Sequence, residues 1–158
     1  LLIVNRRRRV NDIEQDKLYT DPNKLLEDLA WHMTLVASAI YSFDLILNAD
    51  FNKFTGTNFP HVGIVFDHYA GKDFSAYWHA EPLFYSVKHP IAWSADTFDI
   101  FITKWVDLIM SLPDPYTKKA KLKAIKDHGV KSGLFDLEGF LNLRVLDGFN
   151  FQIYKKYF

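Results

Sequence analysis

Histidines and carboxylates cluster in the middle of this chain. His61, His68, His79 and His89 fall within 29 positions, with Asp67, Asp73 and Glu81 among them. Imidazole and carboxylate are ligands for divalent metals and partners in acid–base catalysis. On a strand, His79 and Glu81 share a face with side chains about 7 Å apart. A neighbouring strand carrying His61 or Asp67 would complete a metal site, so metal-assisted catalysis is one reading of this region. The signal is weak. His-x-Glu opens the nucleobase deaminase signature, but the downstream cysteines are missing. The helical His-Glu-x-x-His pattern of zinc proteases is absent as well. His68 shares a predicted strand face with Val62, Ile64 and Phe66, which suits a hydrogen-bonded core residue better than a ligand.

Other chemistries find less support. The chain has no cysteine, which removes disulfides, zinc–thiolate sites and a cysteine nucleophile. No Gly-x-Ser-x-Gly, P-loop or Gly-x-Gly-x-x-Gly sequence is present. Asp96, Asp99 and Asp107 lie on a predicted helix, where capping and solvation are their expected roles. No cofactor is implied, and the balance leans away from an enzyme.

Charge points elsewhere. The net formal charge is zero, yet residues 1–9 carry +4, residues 10–114 carry −9 and residues 115–158 carry +5. The basic groups are Arg6, Arg7, Arg8 and Arg9, then Lys118, Lys119, Lys121, Lys123 and Lys126 with Lys131 following, and finally Lys155 and Lys156 between aromatics. Such patches attract nucleic acid by neutralising phosphate and stacking on bases. The lysines of 118–131 do not gather on one helical face, however, because Leu122 and Ile125 lie among them. A pI near 7.2 is also low for a dedicated nucleic-acid binder. Nucleic-acid binding is therefore the alternative. The leading expectation is a small interaction or accessory module, inhibitor- or immunity-like, that binds a protein partner. Trp78 and Trp93 are the expected surface anchors, whereas Trp31 and Trp105 belong to helices apolar enough to be core.

The elements that position these residues follow from periodicity. Asp21 and Pro22 form an N-cap and first-turn pair. From there Leu26, Leu29, Met33, Val36, Ile40, Phe43 and Leu47 recur three and four apart. They predict one long central helix over 22–48, whose stripe would face the core or serve a homodimer. Residues 50–60 read as a loop. Residues 61–69 and 74–87 read as strands, with Pro82 at an edge or bulge. A second helix is expected over 96–112, and a third from Asp114-Pro115 to His128, stopped by Gly129. Leu141, Leu143 and Val145, then Phe149, Phe151 and Ile153, alternate as in a C-terminal β-hairpin, closed by a three-residue Leu146-Asp147-Gly148 loop.

These elements make an α+β fold: a long central helix on an antiparallel sheet, two further helices and the hairpin. At 158 residues, 26 of them aromatic, one domain with a substantial core is expected, with residues 1–20 as a flexible or strand-like arm. The longest uncharged run in the apolar first half, Leu29 to Phe43, is 15 residues against the roughly 20 that span a bilayer. No membrane association is therefore expected, and the cytoplasm is the default location. Leu1 to Val4 precede the arginines, the reverse of a secretory signal. A start at Leu1 rather than Met suggests a processed or trimmed terminus.

Overall fold

The structure is a computed structural model, which describes residues 1–7, 12–85, 96–133, 136–145 and 150–157. Among these, helices and a four-stranded mixed sheet make an α+β arrangement. The strands are β1 (Leu2–Arg6), β2 (Lys17–Tyr19), β3 (Ala39–Ile40) and β4 (Ala76–Phe84), in the order β2-β4-β1-β3. The sheet is not antiparallel throughout. β1 and β4 run parallel, with Ile3 opposite Trp78, while β2 pairs antiparallel with β4 and β3 with β1. Parallel pairing requires a long crossover, and the helices between β1 and β4 supply it. The first residues thus form a central strand. Pro82 sits where the pairing skips from Val4 opposite His79 to Arg6 opposite Phe84, a bulge that tolerates its missing N–H.

The long helix is broken. α1 (Pro22–Met33) begins as its sequence predicts: the Asp21 carboxylate accepts from the backbone N–H groups of Asn23 and Lys24 at 2.8 and 3.3 Å. It stops at Met33. The Thr34 hydroxyl donates to the Trp31 carbonyl, and the Ser38 hydroxyl contacts the His32 and Leu35 carbonyls at 2.9 and 2.7 Å. Short polar side chains offer the backbone these local alternatives to helix. A 3₁₀ turn (Val36–Ser38), β3 and the six-residue α2 (Phe43–Asn48), capped by Ser42, follow. The stripe is divided in consequence. Leu26, Leu29 and Met33 are buried, while Val36, Ile40, Phe43 and Leu47 are exposed.

Residues 60–69 form helix α3 (Pro60–Tyr69), not a strand. Pro60 starts it, and seven of its ten residues are buried. A run buried on nearly every side carries no period to distinguish helix from strand. A π-helical turn (Asp99–Lys104) continues into α4 (Trp105–Ser111). Thr117, rather than Asp114, caps α5 (Lys118–Lys131), accepting from Ala120 N at 3.2 Å. The helix runs through Gly129 and ends where Gly133 takes φ 64°.

The C-terminal hairpin strands are helices instead: α6 (Leu137–Val145) and α7 (Phe151–Tyr157). Asp136 accepts from Gly139 N at 2.7 Å, and Asn150 accepts from Gln152 N and Ile153 N at 3.0 and 3.1 Å. These caps initiate helices where alternation alone suggests strands. The expected Leu146-Asp147-Gly148 loop lies outside the described residues.

The main core joins α1, α3, α4 and the inner face of the sheet around Leu25, Leu29, Phe66, Trp78 and Trp105. Phe98, Ile102 and Leu143 make a smaller cluster with Phe140 and Ile153, which holds α6 and α7.

Candidate functional site

Where the broken helix turns outward it leaves a concave apolar surface. A cleft of about 400 Å³ opens between the segment 36–56 and the first turns of α3. Val36, Tyr41, Leu45, Ile46 and Phe51 line one side, and Pro60, His61 and Ile64 line the other. In the same segment Ile40, Phe43 and Leu47 are exposed, Phe43 to 74 %. Apolar side chains gathered at a concave site mark a binding site more often than apolar residues scattered singly over a surface.

Three polar side chains line the cleft, Tyr41, Thr55 and His61, and none is charged near pH 7. The His61 Nε2–H donates to the Met33 carbonyl at 2.8 Å, and burial lowers the ring's pKa against the raising effect of that bond. With Nε2 protonated, Nδ1 carries the lone pair. Burial raises the pKa of the Tyr41 phenol, whose oxygen has no hydrogen-bond partner among the described residues. Asp44 and Asp50 stand beside the lining residues Leu45 and Phe51. The site can therefore bind an apolar group and offers it uncharged polar contacts.

Among the described residues, the histidines and carboxylates singled out by sequence do not converge. His61 is on α3 in the cleft. Asp67, on the same helix, pairs with Lys53 at 2.6 Å. His68 is buried, and its Nε2 contacts the Asp44 carboxylate at 3.0 Å, which makes it the hydrogen-bonded core residue its neighbours suggested. His79 and Glu81 do face away from the core on β4, where Trp78 and Ala80 turn inward. The partner of His79 is Asp16, with Nδ1 and Oδ2 3.2 Å apart. Asp16 also accepts from the Tyr77 hydroxyl at 2.6 Å and from Ala80 N at 2.8 Å, bonds that hold its carboxyl below the usual carboxylate range. No group of three or more such side chains among the described residues is placed to hold a metal ion. His89 lies outside the described residues.

Trp78 is not a surface anchor. It is fully buried, its indole N–H donates to the Ile13 carbonyl at 3.1 Å, and its ring lies 4.5 Å from that of His32. Trp93 lies outside the described residues. Trp31 and Trp105 are core, as expected.

The basic groups occupy three separate elements. Arg6 ends the central strand β1, Arg7 follows it, and Arg8 and Arg9 lie outside the described residues. On α5, Lys121 donates to the Met110 and Leu112 carbonyls at the end of α4, and Lys123 bonds the Glu27 carbonyl and Asp127. Lys118, Lys119 and Lys126 are exposed. On α7, Lys155 sits 4.8 Å over the Phe151 ring and Lys156 is exposed.

A buried polar group escaped sequence reasoning. His32 is almost fully buried on α1, its Nε2 2.8 Å from Asp12, and Lys131 pairs with the same carboxylate. Burial raises the Asp12 pKa, but the bonds to His32 and Lys131 outweigh it and hold the carboxyl well below the usual range. A histidine set between Trp31 and Met33 at the apolar end of α1 was the available signal. Its partner Asp12 is 20 positions away, and Lys131 reaches that carboxylate from 119 positions along the chain.

No family model matches this chain, and neither a curated protein nor a solved structure is significantly similar to it.

Proposed function

We propose that the protein works by binding, taking an apolar element of a protein partner into the cleft between Val36 and Ile64. The class this suits is an accessory, inhibitor- or immunity-like module. The observation that carries the reading is the apolar cleft lined by Val36, Leu45, Ile46, Phe51 and Ile64, with Val36, Ile46 and Phe51 exposed at it. Large aromatic side chains at a partly desolvated site are the groups that anchor protein interfaces. Selection of helical peptides from a displayed library tests it. Selected peptides should bind the wild type and lose affinity about tenfold or more, roughly 1.4 kcal/mol, for Ile46→Lys. Failure to select any binder, or equal affinity for both proteins, would overturn the reading.

Acid–base chemistry at His79 is a second reading, supported by one observation. Asp16 orients the ring through Nδ1, which leaves Nε2 as the basic nitrogen of the neutral tautomer. Nitrogen-15 spectra of the ring should show that tautomer in the wild type and a mixture in Asp16→Ala. An unchanged spectrum would remove the reading.

A further inference from the structure

We infer that residues Asp12–Leu18 form a strap along one edge of the sheet, closed by a clasp at Asp12, which lifts off locally while the rest of the fold stays intact. The strap lies between β1 and β2 in the chain. Its fixed end is Tyr19, buried and bonded through its hydroxyl to Asp28 at 3.1 Å. From Asp12 to Leu18 no residue is buried, and Ile13 is half-buried against the core. Polar contacts hold the segment instead. The Ile13 carbonyl accepts from the Trp78 indole N–H at 3.1 Å. Asp16 accepts from the Tyr77 hydroxyl and Ala80 N and contacts His79. Lys17 pairs with Asp28 at 3.0 Å. A segment with so little buried apolar contact belongs to the low-stability end of a structure and opens before the body does.

The contacts differ in strength. The side chains of Lys17 and Asp16 are 47 and 42 % exposed, and ion pairs so open to water contribute little. Asp12 is enclosed. Its carboxylate lies 2.8 Å from Nε2 of His32, a ring 1 % exposed, and pairs with Lys131. Lys131 pairs in turn with Asp127 at 3.0 Å, and Asp127 with Lys123, so the clasp ties the strap to both α1 and α5. Charges shielded from water interact more strongly because they are less screened. The groups that face Asp12 are His32 from α1, Lys131 backed by Asp127 from α5, and Tyr19 from β2. Protonating His32 would strengthen its pair with the carboxylate, so release waits for the carboxyl itself. In the closed strap that carboxyl is held below its ordinary range, which it regains on opening. Closure is therefore favoured above about pH 4 and loses that advantage as pH falls. Opening takes Lys17 and Leu18 from opposite Trp78 and Tyr77 and bares that edge of β4. An open edge is a surface on which extended segments pair.

Native-state hydrogen exchange, read by NMR in increasing urea, tests the strap. The reporters are the Trp78 indole N–H and the Ala80 amide, whose acceptors Ile13 and Asp16 lie on it. They should be protected at least about tenfold less than the core amides of α1 and α3, and with little dependence on urea, because lifting the strap exposes little surface. Asp12→Asn should lower their protection about tenfold further at pH 7. Lys17→Met, which removes an exposed pair, should change it less than about twofold. Below about pH 4 the wild-type protection should fall by up to about tenfold per pH unit, and less steeply in Asp12→Asn. Reporters that share the protection and urea dependence of α1 and α3 overturn the inference. So does protection that Asp12→Asn leaves unchanged, or that Lys17→Met lowers as much. Should Asp12→Asn fail to fold, the urea and pH series on the wild type decide by themselves.

Discussion

Gly63→Ala tests the packing that builds the cleft. Gly63 lies on α3, between the lining residues His61 and Ile64. A methyl group there would stand 2.6 Å from both Cγ and Cδ1 of Phe54 and 2.9 Å from Cδ1 of Leu108. Phe54 is 5 % exposed, so its ring has no solvent to retreat into. Replacing an interior helical glycine by alanine gains about 1 kcal/mol of helix propensity. Overpacking costs typically 1–3 kcal/mol, and contact with two atoms of an enclosed ring puts this case at about 3. The net is a loss of about 2 kcal/mol. For a chain of this size that lowers Tm by roughly 4–8 °C. Thermal and urea unfolding followed by circular dichroism measure it. Phe54→Leu in the Gly63→Ala background should recover about 1 kcal/mol relative to the sum of the single changes. Phe54 immediately precedes Thr55 and Gly56 at the cleft, so the displaced ring should also weaken peptide binding. An unchanged or higher Tm for Gly63→Ala would refute the steric argument.

Four further outcomes can be checked. Asp12→Asn should cost about 1–3 kcal/mol near neutral pH, because it breaks the contacts to His32 and Lys131. The native carboxyl is held below its unfolded value, so its contribution is complete above about pH 4 and fades as pH falls; denaturation at several pH values should show the variant and wild type converging in acid. Trp78→Phe leaves the Ile13 carbonyl without its donor and opens space in the core, for an expected loss of about 2 kcal/mol by urea titration. Lys121→Met removes the donor to the last α4 carbonyls and should lower stability by about 1 kcal/mol. Phe43→Ser with Leu47→Ser should leave stability within about 0.5 kcal/mol, since both side chains are exposed.

Local signals in the sequence were reliable where a cap and a period coincided. Asp21-Pro22 starts α1, and Leu26, Leu29 and Met33 are core. Pro82 marks the bulge in β4. Periodicity misled where it ran on beyond a polar interruption. The stripe continues past Thr34 and Ser38, but their hydroxyls take the carbonyls that the helix would use. At 141–145 the period of two in Leu141, Leu143 and Val145 coexists with helical spacing in Leu137, Leu141 and Val145 and in Phe140 and Leu143, and the Asp136 cap decides for helix. Of the candidate site, His61, Val36 and the stripe residues were visible as apolar or titratable groups. Their assembly into a cleft was not, because the cleft exists only once the second half of the stripe leaves the core.

The sequence by itself determined the material: an α+β complement of elements, an aromatic-rich core, no thiol chemistry, and charges of opposite sign segregated along the chain. Those properties depend on residue type and short-range spacing, which act through local backbone preferences and burial. Tertiary structure alone decided which distant groups meet. Asp16 reaches His79 across 63 positions, Lys131 reaches Asp12, and Trp78 turns inward on a strand whose alternate residues face solvent. Such contacts are set by which arrangement of all the elements buries the most apolar surface while satisfying polar groups, and no local window contains that sum.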